Sequence, residues 1–213
     1  SNTVTSAFYS CDNPVFSRDG KYLFYTSNRH FMPTYSNFDG TWVYNNSVVL
    51  MATTLNKEQP SILSPSNDVE EVKEEENKDE KSDDKDEKED EKDLVIDYDG
   101  MEMRSVQLPV DPGQYGNLTA ADGKLVYGSF MNGSPSIKYW EFESKKESTV
   151  INGAFSYELS ANGKKIMYGS MGGYAIVGVS SNKPGDGSIN MKDVRAKIDP
   201  VQEWNQIFNE AWR

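Results

Sequence analysis

The chain has 213 residues, 36% of them hydrophobic and 12% aromatic, which is enough to bury a sizeable core. Its formal net charge is −12, and the 16 acidic and 6 basic residues between positions 68 and 93 account for −10 of that charge. The remainder is nearly neutral, with no basic stripe for nucleic acid and no apolar run near the ~18 residues that span a membrane. We therefore expect neither nucleic acid nor membrane as a partner. The single cysteine excludes an intrachain disulfide.

Three copies of one strand-turn-strand phrase organise the chain, at residues 14–27, 117–129 and 157–170. Each copy turns on Asp-Gly or Asn-Gly, with its glycine at position 20, 123 or 163. Glycine adopts positive φ freely, and Asn and Asp tolerate it, so these dipeptides favour tight hairpin turns. The last two glycines are 40 residues apart, close to the roughly 40–50 residues of a four-stranded propeller blade. The sequence predicts an all-β fold, a partial β-propeller of about three four-stranded antiparallel blades.

The predicted strands follow in chain order after residues 1–13, which we interpret as the end of a preceding element. Blade one has strands at residues 14–17, 21–27, 47–55 and 101–109. Blade two has strands at residues 115–120, 124–129, 136–143 and 147–151. Blade three has strands at residues 155–160, 165–170, 174–180 and 189–197. The apolar runs within the second strands indicate burial on both faces.

Two segments interrupt blade one. Residues 28–46 are rich in aromatics and either line a binding surface or pack over the rim of their own blade or against a neighbouring domain. Residues 68–93 contain no aromatic residue, cannot offset their ordering entropy by burial, and are predicted to be disordered. We interpret them as a solvated acidic insertion, with an interaction tail or a cation-binding loop as the alternative. A calcium loop needs a glycine, and this tract has none.

A helix is predicted at residues 199–213, where apolar residues recur at helical spacing. The apolar positions are Val201, Trp204, Ile207, Phe208, Ala211 and Trp212. Asp199 is a suitable N-cap, and Pro200 suits the first helical position. The simplest partner for this apolar face is a following domain of the same polypeptide. The predicted layout is therefore blades at 14–198, with the acidic insert inside them, and the start of a following domain at 199–213.

The sequence contains almost no combination of residues that could form a catalytic site. The only histidine, His30, could join a Ser/His/Asp triad, but no Gly-x-Ser-x-Gly elbow accompanies it. A thiol dyad of Cys11 with His30 has no better support, and one His with one Cys is too few ligands for a metal site. The glycine-rich runs at 169–173 and 185–187 match no phosphate-binding loop. We predict no catalytic, cofactor-binding or metal-binding residue and no cofactor. Because propellers close with roughly 4–8 blades, three blades indicate a fragment of a longer polypeptide.

Three stretches carry a family resemblance. Residues 16–29 read FSRDGKYLFYTSNR, a propeller phrase that would equally suit TolB-like propellers. Residues 96–110 read IDYDGMEMRSVQLPV and are followed at 113–118 by GQYGNL. Residues 199–213 read DPVQEWNQIFNEAWR. Together they resemble tricorn-type serine peptidases over essentially the whole chain apart from the acidic insert.

The resemblance implies the last blades of the family's second, seven-bladed propeller and the opening of a mixed α/β domain in its catalytic half. The family's catalytic Ser, His and Glu groups would lie beyond Arg213, so none is carried onto this chain. The implied role is a gate and scaffold for peptide substrates of a serine peptidase. The implied setting is a large homo-oligomer in the cytoplasm, with an exported, periplasmic form as the alternative.

Two other classes of protein compete with this interpretation. One is a TolB-like binding propeller without catalysis, and the other is the propeller of a prolyl-oligopeptidase-type hydrolase. The pattern Glu203-Trp204, Phe208, Trp212 in the terminal helix favours the tricorn type.

Overall fold

The computed structural model describes residues 3–65, 95–131, 133–195 and 197–213, so the predicted disorder of residues 68–93 lies outside the described residues. In chain order the strands are β1 (Cys11–Phe16), β2 (Tyr22–Ser27), β3 (Pro33–Tyr35), β4 (Trp42–Tyr44), β5 (Val49–Thr54), β6 (Ser105–Gln107), β7 (Tyr115–Ala121), β8 (Lys124–Met131), β9 (Ser134–Glu141), β10 (Lys146–Asn152), β11 (Ala154–Leu159), β12 (Lys165–Ser170) and β13 (Gly173–Gly178). A helix, α1 (Pro200–Trp212), follows them.

In these ranges the strands form three antiparallel sheets, in the orders β1-β2-β5-β6, β7-β8-β9-β10 and β11-β12-β13. The separate pair β3-β4 is inserted between β2 and β5. Apart from this insertion, strands that are consecutive in sequence pair within each sheet. This arrangement confirms the predicted all-β class with small antiparallel sheets and a single C-terminal helix.

The core lies between the sheets. One cluster joins the first sheet to the second and includes Tyr22, Phe24, Leu50, Leu125, Tyr127 and Trp140. Another joins the second sheet to the third and includes Val126, Ile137, Ile151, Tyr157, Ile166 and Tyr168. Successive side chains of β8 therefore enter different clusters, because side chains alternate between the faces of a strand. Leu125, Val126 and Tyr127 are all fully buried, as the apolar run predicts.

The predicted fourth strand of blade three, residues 189–197, is wrong for the described part of the chain. The chain approaches β13 through a bridge from Ser188 to Ala175. The Ile176 amide donates to the Gly187 carbonyl at 3.0 Å, and the Ile189 amide donates to the Tyr174 carbonyl at 2.9 Å. Beyond this point the Asn190 side chain accepts the Lys192 amide at 3.0 Å. This local bond competes with extended backbone, so the chain turns away and the described third sheet has three strands.

The predicted strand at residues 101–109 is correct only in its centre. A 3-10 helix at Glu102–Arg104 replaces its beginning, and β6 is short. The Arg104 guanidinium donates to the carbonyl oxygens of Asp97 and Asp99, and the Met101 carbonyl accepts the buried Thr53 hydroxyl at 2.9 Å. These bonds fold the segment back on itself before it can join β5.

Strand β1 begins at Cys11, earlier than predicted. Asn13 adopts a φ of 53° and forms a bulge-like irregularity, so β1 pairs with β2 on both sides of it.

Helix α1 begins as predicted, since the Asp199 carboxylate accepts the Val201 amide at 3.1 Å. Its apolar side chains are exposed, including Trp204, Phe208 and Trp212. Among the described helices, none combines the length and apolar character required to cross a bilayer.

Residues 28–46 form the β3-β4 hairpin, and their aromatic side chains are exposed. The interpretation that they pack over the rim of their own blade is therefore wrong. In the described ranges β3 and β4 pair with each other and with no further strand.

Candidate functional site

The first strands of the three sheets converge. Strands β1, β7 and β11 are edge strands of their sheets. The Asn117 side chain in β7 donates to the Tyr157 carbonyl of β11 at 3.1 Å, and the Tyr157 hydroxyl donates to the Val126 carbonyl at 3.0 Å. The turns that follow these three strands gather at one end of the molecule. We call them the inner rim, residues 17–21, 120–123 and 160–164.

The first and third turns of the inner rim are built from the same chemistry. Ser17 donates its hydroxyl to Asp19 at 2.6 Å, and Ser160 donates its hydroxyl to Asn162 at 2.8 Å. Each serine oxygen also accepts the backbone amide of the residue five positions later, at 2.9 Å. The pattern Ser-x-Asx-Gly therefore folds each turn locally, with the glycine at positive φ. These contacts hold the first and third turns in the same local conformation.

Arg18 joins all three turns of the inner rim. Its Nε donates to the Ala120 carbonyl at 3.0 Å, and its Nη2 donates to the Ala161 carbonyl at 2.6 Å. The same Nε lies 3.9 Å from the Asp122 carboxylate, and the Arg18 side chain is 34% exposed. The planar guanidinium presents several donors in a fixed fork, so a single side chain can bridge separate acceptors.

Glycine at position 163 makes this bridge possible. A Cβ added to Gly163 would lie 3.0 Å from Arg18 Cζ, and the residue has a φ of +69°. The cleft beside the bridge has a volume of about 490 Å³ and is lined by Arg18, Asp19, Asp122, Gly123 and Phe142. The lining of this cleft thus carries one cation, Arg18, and two carboxylates, Asp19 and Asp122. These side chains offer charged and hydrogen-bonding groups to a molecule in the cleft.

A second polar group lies within the second sheet. The Tyr127 hydroxyl donates to one Glu147 oxygen at 2.7 Å, and Lys138 donates to the other at 2.7 Å. Burial, followed by the neighbouring Glu147 charge, raises the pKa of Tyr127 well above its usual value. The phenol therefore stays neutral and serves as a hydrogen-bond donor that anchors the outer strands.

The two titratable candidates from the sequence do not form a site together. Cys11 is half-buried and donates its thiol to Ser27 Oγ at 3.3 Å, while the His30 backbone amide donates to the Ser47 carbonyl at 3.1 Å. The hydrogen bonds of the described residues do not join Cys11 to His30. Within the same ranges no three His, Cys, Asp or Glu side chains are grouped as metal ligands.

Sequence reasoning missed Arg18. The signal was a difference among the repeats, because the residue before Asx-Gly is Arg18 in the first copy and alanine, at 121 and 161, in the other two. A long cation at a position where the other copies carry a methyl group indicates a side chain that reaches across to its neighbours.

Comparisons with known proteins agree on one family. The family model described as "Tricorn protease second beta propeller domain" matches residues 1–180. Tricorn protease of Thermoplasma volcanium is 24% identical over 94% of this chain, which spans 19% of that protein. Tricorn protease homolog 1 of Streptomyces coelicolor is 26% identical over 94% of this chain, which spans 20% of it. The chain therefore spans about a fifth of the length of these relatives.

A solved structure, the crystal structure of the tricorn protease, superposes with a TM-score of 0.73 over 98% of this chain and 20% of the solved chain, at 19% identity. At this identity the likeness concerns the fold. It confirms that the three sheets are blades of a partial β-propeller.

Proposed function

Since the chain belongs to the family of tricorn protease second β-propeller domains, whose model matches residues 1–180, we propose that it is the access gate and scaffold of a serine peptidase that degrades oligopeptides. In this proposal the chain itself supplies no catalytic residue. It forms part of the path through which peptides reach a catalytic site elsewhere in a longer polypeptide.

The observation that carries the proposal is the Arg18 bridge across the inner rim. In a propeller the first strand of each blade faces the central axis, so the turns after these strands border the mouth of the axial channel. A guanidinium bonded to backbone carbonyls of both neighbouring turns keeps that border at a fixed width. A rigid border can select peptides by size, which is what an access gate requires.

The rest of the polypeptide has a natural attachment point. Relatives are roughly five times as long as this chain, and the apolar side of α1 is exposed. We assign residues 14–198 to propeller blades and residues 199–213 to the start of a mixed α/β domain that covers the apolar side of α1. Further proposals are assembly of the intact protein into a homo-oligomer and a cytoplasmic location.

The test compares the intact protein, its Arg18→Ala variant, its Lys164→Ala variant and the 213-residue chain on short and long fluorogenic peptides. Lys164 lies on the same rim and is exposed, so its variant removes a cation without removing the bridge. We expect inhibitor-sensitive cleavage by the intact protein and none by the 213-residue chain. Arg18→Ala should raise the ratio of long-peptide to short-peptide cleavage, and Lys164→Ala should leave it unchanged.

Two outcomes would refute parts of the proposal. Absence of cleavage by the intact protein would refute the peptidase assignment and favour a binding propeller without catalysis. Cleavage with an unchanged peptide-length ratio in Arg18→Ala would leave the peptidase assignment standing and refute the gate at the inner rim.

A further inference from the structure

The hairpin formed by β3 and β4 is amphipathic. Pro33 lies opposite Tyr44 and Tyr35 lies opposite Trp42, so these four side chains share one face of the two-stranded sheet. Thr34 and Val43 occupy the other face. The Phe31 ring lies 5.6 Å from the Tyr44 ring and extends the first face. We call this surface, formed by Phe31, Pro33, Tyr35, Trp42 and Tyr44, the aromatic face.

The aromatic face is exposed. Phe31, Tyr35, Trp42 and Tyr44 are 73%, 60%, 59% and 53% exposed, respectively. The face carries no charged side chain. An uncharged face of this kind suits a ligand with apolar side chains, since a charged ligand would lose hydration here without gaining a partner.

The hairpin is held rigid at both ends. At its base Arg29 donates to Ser27 Oγ at 3.0 Å and stacks over the Tyr9 ring at 5.0 Å. At its tip the Asp39 carboxylate accepts both the amide and the hydroxyl of Thr41, at 3.2 and 2.9 Å. A hydrogen bond from the Ser36 side chain, followed by those from Thr41, holds the pKa of Asp39 below its usual value. A preorganised face loses little entropy when a ligand binds.

The size of the aromatic face limits what can occupy it. With an area of ~150–250 Å² for each aromatic side chain, its exposed part amounts to roughly 500 Å². A stable interface between domains or protein copies buries about 800 Å² on each partner. The face is therefore too small to hold a domain or a second copy by itself, but it lies in the range of functional patches on monomers, about 300–600 Å².

The strand edges of the hairpin add a second means of recognition. In the described ranges β3 and β4 pair only with each other, so each leaves an outer edge of backbone donors and acceptors. An extended peptide can pair with such an edge and lay alternate side chains over one face of the sheet. Because β2 leads away from the inner rim, the hairpin lies at the opposite end of the blade from Arg18.

We propose that the aromatic face binds short extended polypeptide segments with alternating apolar side chains and thereby captures substrate before it reaches the peptidase site. This inference deepens the proposed function. It depends on that function only where it identifies the bound segment as a substrate of the peptidase. Binding itself depends on the hairpin and not on catalysis.

The experiment uses the intact protein, treated with a serine-directed inhibitor so that the probe is not cleaved. The probe is a fluorescein-labelled unstructured peptide that alternates Phe or Leu with Ser, and binding is followed by fluorescence anisotropy. The test variant is Tyr35→Ser with Trp42→Ser on the aromatic face. The matched control is Thr34→Ala with Val43→Ser on the opposite face, and circular dichroism checks that both variants fold.

We expect the aromatic-face variant to weaken peptide binding by about tenfold or more, because a few aromatic anchors carry most of the binding energy of such a contact. The opposite-face control should bind like the unmodified protein, and Trp42→Phe should retain most of the affinity. Equal losses in both double variants, or no binding of the probe, would overturn the inference.

Other occupants of the face would also be detected. If the aromatic-face variant changes the oligomeric state in light scattering, the face is an interface between copies and the inference fails. If Trp42 in the intact protein resists acrylamide quenching, measured against Trp42→Phe, another domain covers the face and the inference fails. Peptide binding without any cleavage before inhibition would support this inference and refute only the proposed peptidase function.

Discussion

Replacing Arg18 with alanine tests the central feature of the inner rim. The substitution removes two hydrogen bonds from a charged donor to backbone carbonyls, at 3.0 and 2.6 Å. Such bonds contribute about 1.5–3 kcal/mol each when they are shielded from water. Here the guanidinium is 34% exposed, and Asp122, 3.9 Å away, is 72% exposed, so water replaces much of what is lost. We expect unfolding free energy to fall by about 1–2 kcal/mol in total.

The assay is urea unfolding of the unmodified chain, Arg18→Ala, Arg18→Lys and Lys164→Ala, followed by circular dichroism. The loss for Arg18→Ala corresponds to about 2–8 °C in melting temperature for a chain of this size. Arg18→Lys should recover little, because a lysine ammonium lacks the planar fork that reaches two carbonyls. Lys164→Ala should stay within about 0.5 kcal/mol of the unmodified chain. Full recovery by lysine, or equal losses for Arg18→Ala and Lys164→Ala, would refute the bridging role.

Three further predictions concern the rim and the core. Gly163→Ala should lower the free energy of unfolding by about 1–2 kcal/mol, because position 163 has a positive φ and lies against Arg18. A double-mutant cycle should show a smaller loss in the Arg18→Ala background. Trp140→Ala should cost about 3–5 kcal/mol in urea unfolding, because Trp140 is fully buried between the first two sheets; a loss below about 1 kcal/mol would contradict that packing. Stability should fall as pH rises above about 10, because folded Tyr127, whose pKa is raised, keeps a proton that the unfolded chain releases. Unfolding measured across this range should show a smaller fall in Tyr127→Phe.

The sequence by itself determined the turns and most of the strands. Asp19-Gly20 and Asn162-Gly163 fold through serine and Asx side chains only a few residues away, so their chemistry is visible in a short window. The apolar run at 125–127 likewise predicts a strand buried on both faces, because alternation is a property of the strand alone. The N-cap of α1 is local in the same sense.

Tertiary structure decided what connects these local units. Arg18 bonds to carbonyls 102 and 143 residues away, and nothing in its own segment specifies those partners. The predicted fourth strand of blade three was wrong because a local hydrogen bond at Asn190 competes with pairing to β13. Strand propensity alone does not show which of the two prevails. The sequence also did not show whether the aromatic face is exposed. Aromatic residues favour a strand, but only the placement of the neighbouring sheets determines whether that strand is covered.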